Sequence, residues 1–327
     1  MKAEYSTRKI AVIGAGITGV SCAHRLALDG FRPTIFEKSR GLGGRLATRR
    51  LEGGLSMDHG AQYVTARSEL FKDAVAGSVV AGAAAVWHPK VDESAIAGSD
   101  QWIVGAPGMN ALVKPLAGGI DTRFTDTVSA IERESAGWRV RTTNDAVGQI
   151  FDVVVCTAPP PQTRSLLASH HDFGEQLAGV AIAPCWALMM VFPKPLDIAF
   201  EVALPKGGAI AWMARNSSKP SRTEGKEAWV VHASPEWSEK HLECEKESVA
   251  DMLLAEFRAA AGSTLPEIET LVAHRWRYAL TTKPLGKPFL RSVDSTLFAG
   301  GDWCLGARVE CGFESGRAIA DAIVGGP

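Results

Sequence analysis

Three glycines near the start of the sequence have the spacing of a turn that binds the pyrophosphate of a dinucleotide. Gly14, Gly16 and Gly19 form G-x-G-x-x-G directly after the apolar run Ile10–Ile13, which is typical of a buried strand. The first glycine permits the tight bend, the second lets backbone N–H groups approach the phosphates, and the third lets helix and strand pack closely. The helix that follows, with Thr18 in its first turn, would direct its positive end at the phosphates.

A carboxylate follows the turn where a bound adenosine would place its ribose. Glu37 ends a second apolar run, Thr34–Phe36, and stands 23 positions after Gly14. A carboxylate there can accept hydrogen bonds from a ribose, which favours a 2′-hydroxyl over a 2′-phosphate. Three glycines alone are also compatible with a turn that binds nothing, so the strand, the helix and the acid carry the prediction.

A second glycine loop follows the acid and carries an arginine. It begins at Lys38 and ends in G-L-G-G-R, with Gly44 and Arg45 as its last two residues. The glycines bring backbone close to a ligand, and the forked guanidinium of Arg45 suits phosphate oxygens. This loop looks like the second fingerprint of the glutathione-reductase-type FAD enzymes, so the two loops together favour FAD over NAD. We expect non-covalent FAD, because no cysteine or histidine stands in a recognisable linkage motif.

The segment Asp58–Tyr63 has side chains suited to the edge of an isoalloxazine ring. Ala61 is small, Gln62 offers an amide and Tyr63 a phenol, which match the donors and acceptors of that edge. The alternative is a simple turn before a strand.

The C-terminal segment returns to the same chemistry. An apolar strand ends in Gly301 and Asp302, and a helix begins at Arg308 and Val309. Asp302 could hold a ribityl hydroxyl, and the positive end of the helix would stabilise negative charge on the pyrimidine of a reduced flavin. The sequence therefore predicts a flavin site closed by both ends of the chain.

The composition excludes several function classes. The 327 residues are 46% apolar and 22% charged, with a net charge of −1, as in ordinary globular proteins. Lys and Arg form no continuous basic run, and no apolar stretch reaches membrane-spanning length, so we expect neither nucleic acid nor a membrane as partner. The N-terminus leaves no room for a signal-peptide core, so we expect a cytoplasmic protein. Six scattered cysteines and eight histidines without ligand spacing predict reduced thiols and no metal.

The order of elements predicts an α/β fold in two domains. A Rossmann-type FAD-binding domain is expected from residues 1–72, 105–165 and 288–327. A second, α+β substrate domain on a mostly antiparallel sheet is expected from residues 73–104 and 166–287, with one helix from Pro235 to Ala261.

Taken together, the motifs resemble those of bacterial renalases, and the similarity runs through the whole chain. The matching segments are G-A-G-I-T-G (14–19), E-K-S-R-G-L-G-G-R (37–45), D-H-G-A-Q-Y-V-T-A-R (58–67), W-I-V-G-A-P-G-M (102–109), W-M-A-R-N-S-S-K-P (212–220), A-H-R-W-R-Y-A (273–279) and G-D-W-C-L-G-A-R-V-E (301–310). The resemblance implies an FAD enzyme of the amine-oxidase-like fold that oxidises the 2- and 6-dihydro isomers of NAD(P) to NAD(P)+. Oxygen is then the acceptor and hydrogen peroxide the second product.

The same resemblance implies site residues. The implied FAD contacts are Thr18, Glu37, Lys38, Arg45, Gln62 and Tyr63. The implied substrate pocket contains the stretch from Tyr63 through Thr65 and Ala66 to Arg67, together with Asn216.

The residues themselves suggest how such a substrate would be held. Arg67 and the run Arg215–Arg222 could supply cations for its pyrophosphate, the alternative being a solvated charge cluster. Trp186 and Trp276, with Trp212 and Tyr278, could form a slot for its planar ring, although aromatic residues on a sheet more often belong to a core.

Oxidation of a dihydropyridine needs no general base, because the lone pair of the ring nitrogen drives the loss of hydride, so no catalytic side chain is assigned. Two other functions stay open. One is a flavin amine oxidase, against which the cationic run argues, and the other is a non-catalytic FAD-binding redox sensor. The isomer preferred, the choice between NAD and NADP forms, and the oligomeric state stay open as well.

Overall fold

The computed structural model describes residues 7–51, 54–92, 101–167, 171–222, 225–262 and 265–326. The α-helices of this part of the chain are α1 (Ile17–Leu28), α2 (Glu69–Val80), α3 (Pro160–Leu166), α4 (His171–Ala178), α5 (Pro235–Lys240), α6 (Lys246–Ala261) and α7 (Val309–Val324). None of these helices is both long and apolar enough to cross a membrane.

A six-stranded sheet holds both ends of the sequence. Its strands are β1 (Ile10–Ile13), β2 (Thr34–Phe36), β7 (Asp121–Arg123), β11 (Val153–Cys156), β17 (Leu290–Arg291) and β18 (Leu297–Ala299). Their order is β17-β18-β11-β1-β2-β7, and every pair is parallel except β17 with β18. All four residues of β1 and of β11 are buried, as continuous apolar runs in a covered parallel sheet require. The carboxyl ends of β1, β2 and β18 share one edge, where ligands of such sheets bind.

A five-stranded antiparallel sheet forms a second layer. Its strands are β12 (Ala181–Phe192), β13 (Val202–Ala203), β14 (Ile210–Arg215), β15 (Glu227–Ala233) and β16 (Thr270–Lys283), in the order β13-β14-β15-β12-β16. Leu188 and Met190 of β12 pack with Leu253 and Phe257 of α6, whereas Met189 and Val191 pack on the opposite face with Met57. The period-two alternation of strand side chains therefore divides β12 into two faces.

Smaller strands complete the structure. β3 (Thr48–Arg50) pairs with β4 (Ser56–Asp58), β5 (Ala84–Trp87) pairs with β6 (Trp102–Gly105), and β8 (Val128–Glu134), β9 (Gly137–Thr142) and β10 (Gln149–Phe151) form a three-stranded sheet.

The expected helix from Pro235 to Ala261 is wrong, because the structure has two helices there, α5 and α6. The chain leaves the helical path at His241, whose carbonyl accepts a hydrogen bond from Nε1 of Trp186 at 3.0 Å. The predicted α/β fold with one parallel and one antiparallel sheet is confirmed. The domain boundaries stay a prediction.

Candidate functional site

The first glycine turn leaves a cradle of backbone N–H groups at the start of α1. Gly14 has a φ of 103°, and its N–H donates to the carbonyl of Phe36 at 2.8 Å. A Cβ at Gly19 would overlap the carbonyl oxygen of Gly14, whereas a Cβ at Gly16 would meet nothing within 4 Å. Gly16 caps α1 without a side chain, so the first N–H groups of the helix, including that of Thr18, lack intrahelical acceptors. Open space beside such donors fits an anion such as a pyrophosphate.

The second glycine loop lies directly on the first. The N–H of Gly43 donates to the carbonyl of Ala15 at 2.9 Å, and Gly43 and Gly16 form a parallel bridge. Gly43 and Gly44 have φ values of 119° and 55°, which glycine adopts without strain. A Cβ at Gly44 would come within 3.3 Å of the Cα of Gly16. The two motifs that predicted one ligand therefore lie together beside the open space at Gly16, which we call the cleft.

Glu37 is held beside this cleft by backbone donors. Its carboxylate accepts hydrogen bonds from the N–H of Ala15 at 2.7 Å and from the N–H of Ser39 at 2.8 Å, one on each oxygen. Each carboxylate oxygen has two lone-pair directions, so both retain acceptor capacity for a ligand hydroxyl. Lys38 is exposed next to it.

Arg45 joins the second glycine loop to the C-terminal segment. Its guanidinium forks onto the two carboxylate oxygens of Asp302, with Nη1 at 2.7 Å from Oδ2 and Nη2 bound to Oδ1. Nη1 also donates to the carbonyl of Ala279 on β16 at 3.0 Å. Arg45 and Asp302 were expected at the phosphates and the ribityl chain respectively, and the structure brings them together, with Gly301 adjacent in sequence.

The first turns of α1 and α7 meet beside this pair. A Cβ at Gly312 would lie 3.0 Å from Oγ1 of Thr18 and 3.8 Å from Cβ of Asp302. Helix α7 begins at Val309 after Arg308, whose side chain makes no cap hydrogen bond. Two helix N-termini, each a source of partial positive charge, therefore converge at one end of the cleft.

Asp58 is the centre of a buried ionic network. It is fully buried, as are Lys219 and Arg222 to within a few per cent. Nζ of Lys219 lies 3.2 Å and Nη2 of Arg222 2.5 Å from Oδ2 of Asp58. Oδ1 accepts hydrogen bonds from the N–H of Met109 at 2.9 Å and from Oγ1 of Thr48 at 2.8 Å.

The network carries one more positive charge than negative. Burial alone would raise the pKa of Asp58, but Lys219 and Arg222 outweigh it and hold that pKa below its ordinary value. Burial lowers the pKa of Lys219 to about 8, in spite of the opposing effect of Asp58.

The expected role of the run Arg215–Arg222 is therefore wrong. Lys219 and Arg222 point inward to Asp58, and Arg215 donates to the carbonyl of Ile198 at 3.1 Å. Three cations in eight residues suggested a surface for pyrophosphate, but the sequence alone did not show that a buried carboxylate 161 positions away needed them. These internal cations therefore no longer argue against an amine as the substrate.

Gln62 is fixed by the same network. Its Nε2 donates to the carbonyls of Asp58, at 2.5 Å, and Gly60, at 3.0 Å, and its Oε1 accepts a hydrogen bond from Lys219 at 3.0 Å. Both amide hydrogens are used and Oε1 retains one lone pair, so the contact with an isoalloxazine edge stays a prediction for the amide oxygen alone. The N–H of Ala61 donates to the carbonyl of Arg45 at 2.8 Å, which places this segment directly on the second glycine loop.

Tyr63 belongs to an aromatic cluster, which we define as Tyr63, Trp87, Trp102 and Trp212. Its ring stacks on Trp102 with centroids 4.2 Å apart and planes at 13°, and Trp212 lies 5.5 Å away. Nζ of Lys219 lies 5.4 Å from the ring of Trp87, a cation–π contact. Of the aromatic residues expected to form a planar slot, Trp212 belongs to this cluster, whereas Tyr63, Trp87 and Trp102 were not assigned to that slot.

The segment after Tyr63 is tied to α7. Glu310, in the first turn of α7, accepts hydrogen bonds from the N–H of Arg67 at 2.8 Å and of Ser68 at 2.7 Å. Thr65 and Ala66 are half-buried, and the side chain of Arg67 is exposed. Of the basic residues expected at a pocket mouth, Arg67 is exposed to solvent, and its contact with a substrate stays a prediction.

A row of side chains crosses the antiparallel sheet on the face that carries Met189. Trp212 pairs with His232, His232 with Ala187, and Ala187 with His274, one residue from each of four strands. We call these four residues the transverse row. Above it, the ring of His59 lies 4.6 Å from that of His274.

Trp276 completes the same face. Its ring stacks on His59 at 5.0 Å, and its Nε1 donates to the carbonyl of His59 at 2.8 Å. Burial lowers the pKa of His59 to about 3, with His274 adding to the effect. Burial likewise lowers the pKa values of His232 and His274 to about 4. All three rings are therefore neutral at pH 7. The cations nearby, Arg49 beside His59 and His274 and Lys219 beside His232, lower these pKa values further.

Trp186 does not belong to this face, so its assignment to a substrate slot is wrong. It is fully buried on the other face of β12, in the core beneath α6. Its register partner Arg275 lies there too, with its guanidinium 5.6 Å from the indole. The alternation of strand side chains places neighbours in sequence on opposite faces, and the sequence did not show which face was which.

Asn216 is also committed to a structural role. It is 1% exposed, its Nδ2 donates to the carbonyl of Ser56 at 3.1 Å, and its Oδ1 accepts the N–H of Asp58 at 3.2 Å. These bonds fix the end of β4, so the expectation that Asn216 lines the substrate pocket is corrected.

Comparison with known protein families covers both parts of the chain. Residues 12–76 match the NAD(P)-binding Rossmann-like domain, and residues 65–324 match the flavin-containing amine oxidoreductases. A segment of 65 residues, 20% of this chain, is 43% identical to a 4,4′-diapophytoene desaturase of Staphylococcus aureus (strain Newman). That segment spans 12% of the desaturase.

Solved structures resemble the whole fold. A protein described as a protoporphyrinogen oxidase of Exiguobacterium sp. 255-15 superposes with a TM-score of 0.79 at 14% identity, over 97% of this chain and 99% of that one. A putrescine oxidase bound to putrescine superposes with a TM-score of 0.73 at 13% identity, over 97% and 99% of the two chains. At these identities the likeness shows the fold alone. The family match extends over most of the sequence, and the chain therefore belongs to the flavin-containing amine oxidoreductase family.

Proposed function

We propose that the protein is an FAD-dependent oxidase of isomeric dihydronicotinamide dinucleotides, acting on the 2-dihydro form, the 6-dihydro form or both. The observation that carries this proposal is the chemistry of the face formed by the aromatic cluster and the transverse row, which consists of aromatic rings and neutral histidines. In the described part of the chain the carboxylate that borders this face is Asp58, and it is already paired with Lys219 and Arg222. A protonated amine would find no counter-ion there, whereas a neutral planar ring meets tyrosine and tryptophan rings.

The glycine cradle supports FAD as the cofactor. The N–H groups at the start of α1 would hold its pyrophosphate, Glu37 its adenosine ribose, and Arg45 and Asp302 the chain between phosphate and flavin. A bound flavin supplies a hydride acceptor that no side chain provides. We propose non-covalent attachment. Denaturation should release all of the flavin into the supernatant, and flavin retained on the unfolded chain would contradict this.

The described side chains suit the charge change of the reaction. Overall, the dihydronicotinamide, O2 and one proton give the nicotinamide cation and H2O2, so the substrate ring loses a hydride and becomes positive. Tyr63 and Trp212 offer ring faces that favour a cation by about 0.5–2 kcal/mol. The ring nitrogen supplies the electron pair, so the three neutral histidines need not act as bases.

A flavin amine oxidase is the principal alternative, and the basic run does not argue against it, because that run is internal. The two functions are separated by anaerobic mixing of the purified protein with the 2-, 6- and 4-dihydro forms of NAD(P) and with putrescine. Rapid loss of flavin absorbance with a 2- or 6-dihydro isomer, giving NAD(P)+, is the expected result. Bleaching by putrescine alone would overturn the proposal in favour of an amine oxidase, and no bleaching by any of them would leave a flavin-binding redox sensor.

A further inference from the structure

Three buried ring nitrogens on this face have no hydrogen-bond partner among the described residues. They are Nε1 of Trp212, Nε2 of His232 and Nδ1 of His59. A buried polar group without a partner costs about 1–3 kcal/mol of stability. Three such groups on one face are unsatisfied donors or acceptors that a ligand bound against this face could satisfy.

Two of these nitrogens belong to residues that are neighbours on the sheet. Trp212 and His232 oppose each other directly across β14 and β15, so their side chains project from the same face with Cβ atoms about 5 Å apart. The ring of Tyr63 lies 5.5 Å from that of Trp212. The pair therefore lies at the edge of the aromatic cluster proposed to hold the substrate ring.

The two nitrogens are complementary in hydrogen bonding. The indole N–H of Trp212 is a donor only. Burial lowers the pKa of His232 to about 4, against a smaller opposing effect of the backbone of His59, so the ring is neutral. A neutral imidazole that donates through one nitrogen accepts through the other, which leaves Nε2 as an acceptor.

We propose that Trp212 and His232 form a carboxamide subsite, in which Nε1 of Trp212 donates to the carbonyl oxygen of the nicotinamide and Nε2 of His232 accepts its amide N–H. This proposal rests on the proposed function, since it names the part of the same substrate that these residues recognise. A primary carboxamide supplies one acceptor and one donor side by side, as the pair requires. A 3-acetyl group supplies the acceptor alone.

The test compares the 6-dihydro isomers of NAD and of its 3-acetylpyridine analogue, which lacks the amide N–H. The ratio of their kcat/KM values is measured for the wild type, Trp212→Phe and His232→Phe. Relative to the wild type, His232→Phe should shift this ratio by about tenfold towards the acetyl substrate, because only the carboxamide loses a hydrogen bond. Trp212→Phe should lose about tenfold with both substrates and leave the ratio unchanged. Comparing ratios cancels the different intrinsic reactivities of the two rings.

Trp102→Phe is the matched control, since it removes an indole N–H from the same aromatic cluster but outside the transverse row, and its ratio should equal that of the wild type. A ratio unchanged in a folded, flavin-containing His232→Phe would overturn the subsite and leave the proposed function standing. Should that variant fail to fold, the dissociation constants of NAD+ and oxidised 3-acetylpyridine dinucleotide for the wild type decide. Tighter NAD+ binding by about tenfold is expected, and equal affinities would overturn the subsite. If the wild type oxidises only the 2-dihydro isomer of NAD, the same ratios are measured with the 2-dihydro compounds, and oxidation of neither the 2- nor the 6-dihydro isomer would instead overturn the proposed function.

Discussion

The glycine cleft and the transverse row differ in what builds them. The cleft between Gly14 and Arg45 is made of backbone, within a stretch of 32 residues. The transverse row is made of side chains from four strands that lie as far apart in sequence as Ala187 and His274. A site made of backbone constrains residue type at fixed spacing, whereas a site on a sheet face depends on register. A single sequence can therefore predict the backbone-built cleft, but it cannot predict the transverse row, because the strand register is unknown.

Breaking the ionic network that joins the two regions should have the largest effect. Asp58→Asn leaves Lys219 and Arg222 buried without a counter-ion, so the free energy of unfolding should fall by about 3–5 kcal/mol in urea denaturation. Asp121→Asn is the control, because Asp121 is 59% exposed and lies 3.7 Å from Arg123, and it should lose less than about 1 kcal/mol. Equal losses in the two variants would contradict the burial of this network.

Alanine substitutions at two glycines of the cleft should affect different properties, one the stability of the fold and the other the binding of flavin. Gly19→Ala should lose about 3 kcal/mol of unfolding free energy, because its Cβ overlaps the carbonyl of Gly14. Gly16→Ala should lose about 1 kcal/mol or less yet retain little flavin, because its Cβ enters the open side of the cradle. Gly41→Ala, which also meets nothing within 4 Å, should keep both properties. Full flavin content in Gly16→Ala would place the pyrophosphate elsewhere.

The histidines of the sheet face should make stability depend on pH. Their folded pKa values, about 3 to 4, lie below the ordinary 6.5, so the unfolded chain takes up protons that the folded chain refuses. The free energy of unfolding should therefore fall as the pH drops from 7 to 5, and His59, 6% exposed, should account for about 2 kcal/mol of that loss.

Urea titrations of the wild type and His59→Gln at pH 7, 6 and 5 measure this dependence. The variant should show a shallower decline. Identical declines would mean that His59 is protonated in the folded protein.

Substitutions on the two faces of the sheet formed by β12 and β16 should have the smallest effects, and each should change a different property, either KM or stability. Trp276→Phe should raise KM for the dihydronicotinamide by about threefold to tenfold, because it alters the substrate face. Trp186→Phe removes a hydrogen bond to His241 and should lower the melting temperature while KM stays unchanged. A KM change in Trp186→Phe would contradict the assignment of the faces.

The sequence predicted the features set by local spacing. The two glycine motifs contact each other through Gly16 and Gly43, and the parallel sheet follows from apolar runs such as Val153–Cys156. The cofactor contacts assigned to Gly14, Glu37, Gly44 and Arg45 stay predictions. The contact of Asp302 with Arg45 could not be predicted, because it joins residues 257 positions apart.

Errors arose where burial decides the role of a charged or aromatic side chain. The sequence predicts that Lys219 and Arg222 are surface cations, because it does not show that both bind the buried carboxylate of Asp58. Trp186 and Trp276 are the same residue type, so only the strand register shows that their side chains lie on opposite faces of the sheet. His59 and Glu310 belong to the motifs 58–67 and 301–310, but the sequence did not show which residues they contact.

The structure of the flavin-loaded protein with NAD+ bound would test the central claim most directly. We expect the FAD pyrophosphate within hydrogen-bond distance of the N–H groups that follow Gly16. We expect the nicotinamide ring on Tyr63 and Trp212, opposite the buried Asp58 network. A nicotinamide bound away from the aromatic cluster, or a pyrophosphate away from the start of α1, would contradict the division into a backbone-built cofactor cleft and a side-chain-built substrate face.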